Sequence, residues 1–236
     1  VELTPEQVKL YERAVSENMF EIRTSEGINR RGLVLKLLTS LKQICNHPAQ
    51  FLKEDRPKLD ERSGKLELLD ELLDTILTED GAVLVFTQYV AMAKLLKAHL
   101  DARAIANQLL HGGTPVRQRE KMVDRFQSGE SSVFLLSLKA AGTGLNLTRA
   151  DHVIHYDRWW NPAVEEQATD RAHRIGQTSA VQVHRLLTEG TIEDRIASIH
   201  ETKRELADAI VSTGESALTE LSNEDLTELV ALRNRG

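Results

Sequence analysis

The stretch "AVLVFTQYVAMAKLLKAHLDARAIANQLLHGG", residues 82–113, sets a short apolar run before a helical pattern and a second short run. "AVLVFT" is apolar without alternation, as in a strand covered on both faces of a parallel sheet. "YVAMAKLLKAHLDAR" has the apolar spacing of a helix, and "ANQLLHG" reads as the next strand. The same rhythm extends to both sides. "KLELLDELLDTIL" precedes it as an amphipathic helix, and "PVRQREKMVDRFQ" follows as another, with Pro115 at its start. "SVFLLS" (132–137), "HVIHYD" (152–157) and "VQVHRLL" (181–187) read as strands, and "PAVEEQATDRAHR" as a helix. Strands alternating with helices of about a dozen residues predict an α/β domain with a mostly parallel sheet.

Helical patterns flank this core. "TPEQVKLYERAV" offers Thr4 as N-cap, Pro5 at the first helical position and Gln7 at capping-box spacing. "LVLKLLTSLKQIC" (33–45) predicts a second helix, with "RTSEGINRRG" as the loop between them. "KEDRPKLDERSG" (53–64) looks like a boundary, and residues 191–212 form a long helix leaving the α/β domain. The expected divisions are 1–62, 63–190 and 191–236.

The chain has 236 residues, 41% hydrophobic and 28% charged, a composition typical of soluble domains. No apolar run reaches the length of a membrane span. One cysteine, Cys45, excludes an internal disulfide and suggests a reducing compartment, cytoplasmic or nuclear. A net charge of −6 disfavours a generally basic coat but leaves room for a local basic strip. Arg103, Arg117, Arg119, Lys121 and Arg125 supply such a bias, while "ESALTELSNEDLTEL" (215–229) is acidic. The chain begins with Val1 and reads as a piece of a longer protein.

Ligands of open parallel sheets gather at the carboxyl ends of the strands. The loops expected there are "TQY", "HGGTP", "LKAAGTGLNLT" and "RWWNP". "HGGTP" puts two glycines before a helix, suited to a phosphate or to a plain Thr-capped turn. "AAGTGLN" lacks the third glycine of a dinucleotide fingerprint and the lysine of a P-loop. "RSGK" (62–65) follows no strand and is continued by Leu66, so it is no P-loop either. Trp159 and Trp160 would point to opposite sides of extended backbone. Both could be core, or one could stand at a ligand edge. His152 and His155 fall on opposite strand faces, so no metal site is expected. Glu165 and Glu166 read as surface. "QATDRAHRIGQ" (167–177) places Arg171 and Arg174 three apart near a helix end.

Taken in order, "VLVFTQY", "LLHGGTPVRQRE", "FLLSLKAAGTGLNLTRADHVIHYDRWWNP" and "QATDRAHRIGQ" resemble helicase motifs IV, IVa, V and VI. They are similar to the second RecA-like lobe of the SWI/SNF family, within superfamily-two helicase-like ATPases. "ELTPEQVKLYE" and "LKQICNHP" resemble the family's helical segment before that lobe, and "GTIEDRI" its brace helix. The resemblance covers about residues 1–212. It implies a RecA-like parallel sheet flanked by helices, a P-loop NTPase fold lacking its own P-loop. It further implies an N-terminal helical insertion and a C-terminal brace helix.

The resemblance also implies a mechanism. ATP would lie between two lobes, with magnesium ligands from the absent first lobe. Arg171 and Arg174 would be arginine fingers, positioned by Gln167. Gly142, Thr143, Gly144 and Asn146 of motif V would bind nucleotide and couple its state to the track. Thr87, Gln88, Gly112, Gly113, Thr114 and Lys139 would contact a DNA backbone, and Trp160 would sit at the duplex groove. The expected partners are double-stranded DNA and the N-terminal RecA-like lobe, with no membrane. The parent protein would be a DNA-dependent ATPase that tracks along duplex DNA, the isolated lobe being inactive. Alternatively it would act chiefly on a protein partner on DNA, such as RNA polymerase. "WWNP" and "DRAHRIGQ" argue against an RNA helicase.

Overall fold

Thr4 starts the first helix as its sequence predicts. Its hydroxyl accepts from the Gln7 N–H while the Gln7 side chain accepts from the Thr4 N–H. The computed structural model describes residues 1–137, 145–170, 180–202 and 216–233. Helix α1 spans Pro5–Arg23, α2 Gly27–Asn46, α3 Pro48–Leu52 and α4 Gly64–Thr78. β1 (Val83–Thr87), α5 (Val90–Ala102), β2 (Asn107–Leu110), α6 (Val116–Gln127) and β3 (Val133–Ser137) follow. Then come β4 (His152–His155), α7 (Pro162–Thr169), β5 (Gln182–Arg185) and α8 (Ile192–Thr202). Short helices α9 (Ser216–Thr219) and α10 (Asn223–Val230) end the described chain. Among the described residues no helix is long and apolar enough to cross a membrane.

The loop expected over 23–32 is shorter than its sequence suggests. Helix α2 already begins at Gly27, and its first turns carry polar residues and an exposed Ile28. Without an apolar stripe, that extension leaves no period to read.

Two compact units divide the chain: Val1–Glu67 with Leu187–Gly236, and Leu68–Leu186. The chain ends therefore share one unit. Its core gathers Tyr11, Ile22, Leu37, Leu38, Leu41 and Ile44. The Tyr11 hydroxyl accepts from the Ile192 N–H at 3.0 Å. The acidic end is tied into the same unit. Arg30 donates to the carbonyls of Thr219 and Leu221 and to Asn223 Oδ1, while Leu218, Leu226, Leu229 and Val230 are buried.

"RSGK" belongs to this unit and does structural work. A Cβ on Gly64 would stand 2.5 Å from the Glu2 carbonyl oxygen, so only glycine fits that approach. Lys65 is fully buried, its Nζ 2.7 Å from Glu193 and 3.2 Å from Asn46 Oδ1. Nearby, burial pushes the Cys45 thiol up to about 12, and the Glu193 charge acts the same way.

The second unit holds a five-stranded, all-parallel sheet in the order β2-β3-β1-β4-β5. The continuous apolar runs become β1 and β3, buried at every position. Leu84, Phe86, Phe126, Phe134, Leu136, Leu147 and Val153 form part of its core, with Ala168 of α7. Register pairs Thr87 with Ser137, Leu110 with Leu136, and His155 with Phe86. The carboxyl ends of these strands are therefore level along one edge of the sheet.

Candidate functional site

The chain runs from β1 outward to β2 and β3 on one side, and to β4 and β5 on the other. Such a reversal opens a crevice at the carboxyl ends of the strands around it. Asp157, just beyond β4, stitches the loops there together. The Thr87 hydroxyl donates to it, as does the Gln88 N–H at 2.9 Å. Gln88 Nε2 donates to the Arg158 carbonyl at 3.1 Å. Thr87 is thus fully buried and spends its hydroxyl inside the edge, while Gln88 is only half-buried. Asp157 escaped the sequence reading. A carboxylate directly after an apolar strand, at a carboxyl end, was its available signal.

Helix α7 is anchored to this edge at its first turn. Asn161 caps it, accepting from the Ala163 N–H. Glu165, expected at the surface, is only 1% exposed. Its oxygens accept from Arg158 Nε at 2.8 and 3.1 Å and from the Trp159 N–H at 2.8 Å, and Arg185 Nε stands 3.5 Å away. A buried carboxylate is stable only with such partners. The two arginines come from outside the helix, so helical spacing alone could not reveal them.

Trp160 is 4% exposed, and Trp159 packs half-buried against the sheet core. The Trp160 ring is packed inside the fold. Gln167 and Asn146 are exposed.

In the β2–α6 loop Pro115, not Thr114, stands at the N-cap of α6, with no side-chain cap. Gly112 and Gly113 are exposed, and Thr114 is buried as the turn's hydroxyl. Thr114 Oγ1 accepts from the His111 N–H at 3.1 Å, and His111 Nδ1 accepts from the Gly113 N–H at 3.1 Å. Arg119 reaches back to the Thr114 carbonyl at 2.8 Å and the Gly112 carbonyl at 3.1 Å. Arg117 and Lys121 remain exposed on α6. Arg171, Arg174, Lys139, Gly142, Thr143 and Gly144 lie outside the described residues. Among the described residues no group of three or more His, Cys, Asp or Glu could hold a metal ion.

His155 ends β4, fully buried. Burial pulls its imidazole down to about 4 from an ordinary 6.5; Glu165 opposes this, and Arg185 and Arg158 reinforce it. The folded state therefore binds fewer protons than the unfolded chain between about pH 6.5 and 4. Stability should be level above that window and fall as pH drops through it. His155→Gln cannot take up this proton, so denaturant titrations from pH 7 to 4 should show a shallower loss in the variant. An identical slope would refute the neutral, buried assignment.

The helicase conserved C-terminal domain matches residues 64–176. The SWI2/SNF2 ATPase C-terminal domain of Sulfolobus solfataricus is 35% identical, with a TM-score of 0.84, over 99% of this chain and 96% of that one. The chain belongs to the SWI2/SNF2 ATPase family. Its sheet and helices are those of the family's RecA-like second lobe. The SWI2/SNF2 ATPase core of S. solfataricus in complex with dsDNA matches 99% of this lobe at 38% identity and a TM-score of 0.88; the lobe covers 49% of that chain. A putative ATP-dependent helicase/translocase of Bacillus subtilis, YwqA, is 47% identical over 98% of the lobe. A mouse SWI/SNF-related, matrix-associated, actin-dependent regulator of chromatin, subfamily A member 1, is 36% identical over 89%. The SWI2/SNF2 lobe spans about a quarter of the length of these longer relatives.

Proposed function

We propose that this chain is the second motor lobe of an ATP-dependent double-stranded DNA translocase. The observation that carries this reading is the likeness, along nearly the whole lobe, to a SWI2/SNF2 core solved with dsDNA. Arg171 and Arg174 act as arginine fingers toward ATP held by a first lobe, with Gln167 on the exposed side of α7. Guanidinium groups beside the transferring phosphoryl stabilise the charge spread over its oxygens. Asn146, with Gly142, Thr143 and Gly144, couples nucleotide state to the track. Magnesium ligands would come from the first lobe, and the metal would neutralise charge on the phosphates.

The carboxyl edge is suited to an extended ligand. β2 and β4 stand three positions apart in the sheet, so their loops are separated by roughly 14 Å. Gln88, Gly112, Gly113 and Lys139 supply backbone contacts there. Thr87, Thr114 and Trp160 are buried, and support the surface from beneath. Contacts of this kind carry little sequence information and weaken with salt.

Gly112 offers a specific check. Nothing lies within 4 Å of a Cβ built there, and its φ is not in the left-handed region. The fold itself does not require glycine at this place, whereas a close phosphate backbone would. Gly112→Ala should therefore melt within about 0.5 kcal/mol of the wild type yet bind duplex DNA several-fold more weakly in filter binding. Unchanged DNA affinity would remove this loop from the interface.

The proposed function as a whole is tested by ATP hydrolysis in the protein carrying both lobes, with duplex DNA as activator. Stimulation by duplex DNA is the expected result.

A further inference from the structure

The last turn of α7 makes a partly buried bond that the proposed chemistry does not use. The His155 ring stacks on Phe86, with centroids 5.5 Å apart and planes 21° apart. Its Nε2 lies 3.0 Å from Thr169 Oγ1, and the same hydroxyl lies 3.1 Å from the Glu165 carbonyl oxygen. A hydroxyl has one proton. If Thr169 donates it back along the helix to Glu165, the imidazole must donate from Nε2. Nδ1 is then a bare acceptor, buried and without a hydrogen-bond partner. Among the described residues the ring's one hydrogen bond is the one to Thr169. A phenylalanine would fill similar space against Phe86, so what histidine adds at this place is that bond.

Thr169 is the last residue of α7, two before Arg171 and five before Arg174. The first turn of the helix is held separately by Glu165 through Arg158 and the Trp159 N–H. Glu165 thus holds the first turn of the helix, and His155 meets its last residue.

We propose that His155 is a positioning residue, acting through Thr169 to hold the last turn of α7 in place, two residues before Arg171 and five before Arg174 in sequence. This rests on the reading of those arginines as fingers. His155 itself touches no substrate. Fingers act through placement, and a displacement of about 1 Å costs on the order of 10²-fold in rate.

The test uses the protein with both lobes and duplex DNA. Thr169→Val removes the hydroxyl at nearly constant shape, and Thr169→Ser keeps it. His155→Phe removes the donor, and His155→Gln carries an amide nitrogen near the Nε2 position. Thr169→Val and His155→Phe should each lower kcat for ATP by roughly tenfold or more, leaving KM for ATP and duplex affinity within about twofold. Thr169→Ser and His155→Gln should recover most of the loss. In the Arg171→Ala/Arg174→Ala background, measured with enzyme in excess over nucleotide, Thr169→Val should add nothing. The proposal is overturned if kcat is unchanged in Thr169→Val, if serine fails to rescue, or if the loss is equal in both backgrounds. A lowered melting temperature in His155→Phe with unchanged kcat overturns it too, by leaving a structural role alone. Near-normal turnover in both arginine variants would instead bring down the finger reading beneath it.

Discussion

Arg171→Ala and Arg174→Ala, each made in the protein with both lobes, should lower duplex-stimulated ATP turnover by roughly 10³-fold or more. ATP affinity should change far less. A phosphoryl group in transfer carries its charge on oxygens that water would otherwise solvate, and a fixed guanidinium replaces that solvation without reorganising. On the proposed two-lobe mechanism the first lobe holds the ground-state triphosphate, so loss of a finger should fall on kcat. Arg→Lys should recover little, because an ammonium lacks the planar fork. Steady-state kinetics with duplex DNA at saturation reads both quantities. A matching rise in KM with kcat preserved would assign the two arginines to binding alone.

The second large effect is on stability. Lys65 and Glu193 are both buried, with side chains 0% and 1% exposed, and their charged atoms are 2.7 Å apart. Lys65→Ala leaves the Glu193 carboxylate with the Thr188 N–H at 3.1 Å but without its cation. Removing one partner of a buried ion pair costs about 3–5 kcal/mol, since the remaining charge is no longer compensated. Glu193→Gln removes the carboxylate that neutralises Lys65 and should cost a similar amount. Replacing both, as Lys65→Met with Glu193→Leu, should recover much of the loss, because neither charge is then buried alone. Denaturant unfolding of the chain measures all three. A loss under about 1 kcal/mol in Lys65→Ala would mean that water reaches the pair.

The sheet was legible because its evidence is local. Buried parallel strands need unbroken apolar runs, and "AVLVFT" and "SVFLLS" are such runs. Thr4 and Gln7 announced α1 through a cap that depends on residues three apart. Much of the candidate site was not legible, because its bonds join distant positions. Asp157 serves Thr87 and Gln88 across 70 and 69 residues; outside the site, Lys65 likewise meets Glu193 across 128. Glu165 looked like half of an exposed acidic pair, and the arginines that bury it come from the preceding loop and from β5. Trp160 shows the limit of a motif: its position follows from the family resemblance, but its burial comes from the packing. The arginines of "DRAHRIGQ" lie outside the described residues, and their proposed role comes from the family resemblance.

The central claim is that this lobe is one half of a DNA-driven motor. Its most direct test is the rate of ATP hydrolysis by the two-lobe protein and by this lobe alone, each with and without duplex DNA. The account predicts hydrolysis by the two-lobe protein that rises on adding duplex DNA and declines with salt, and none above background from the lobe alone. Hydrolysis by the lobe alone at the two-lobe rate, or a two-lobe rate indifferent to duplex DNA, would contradict it.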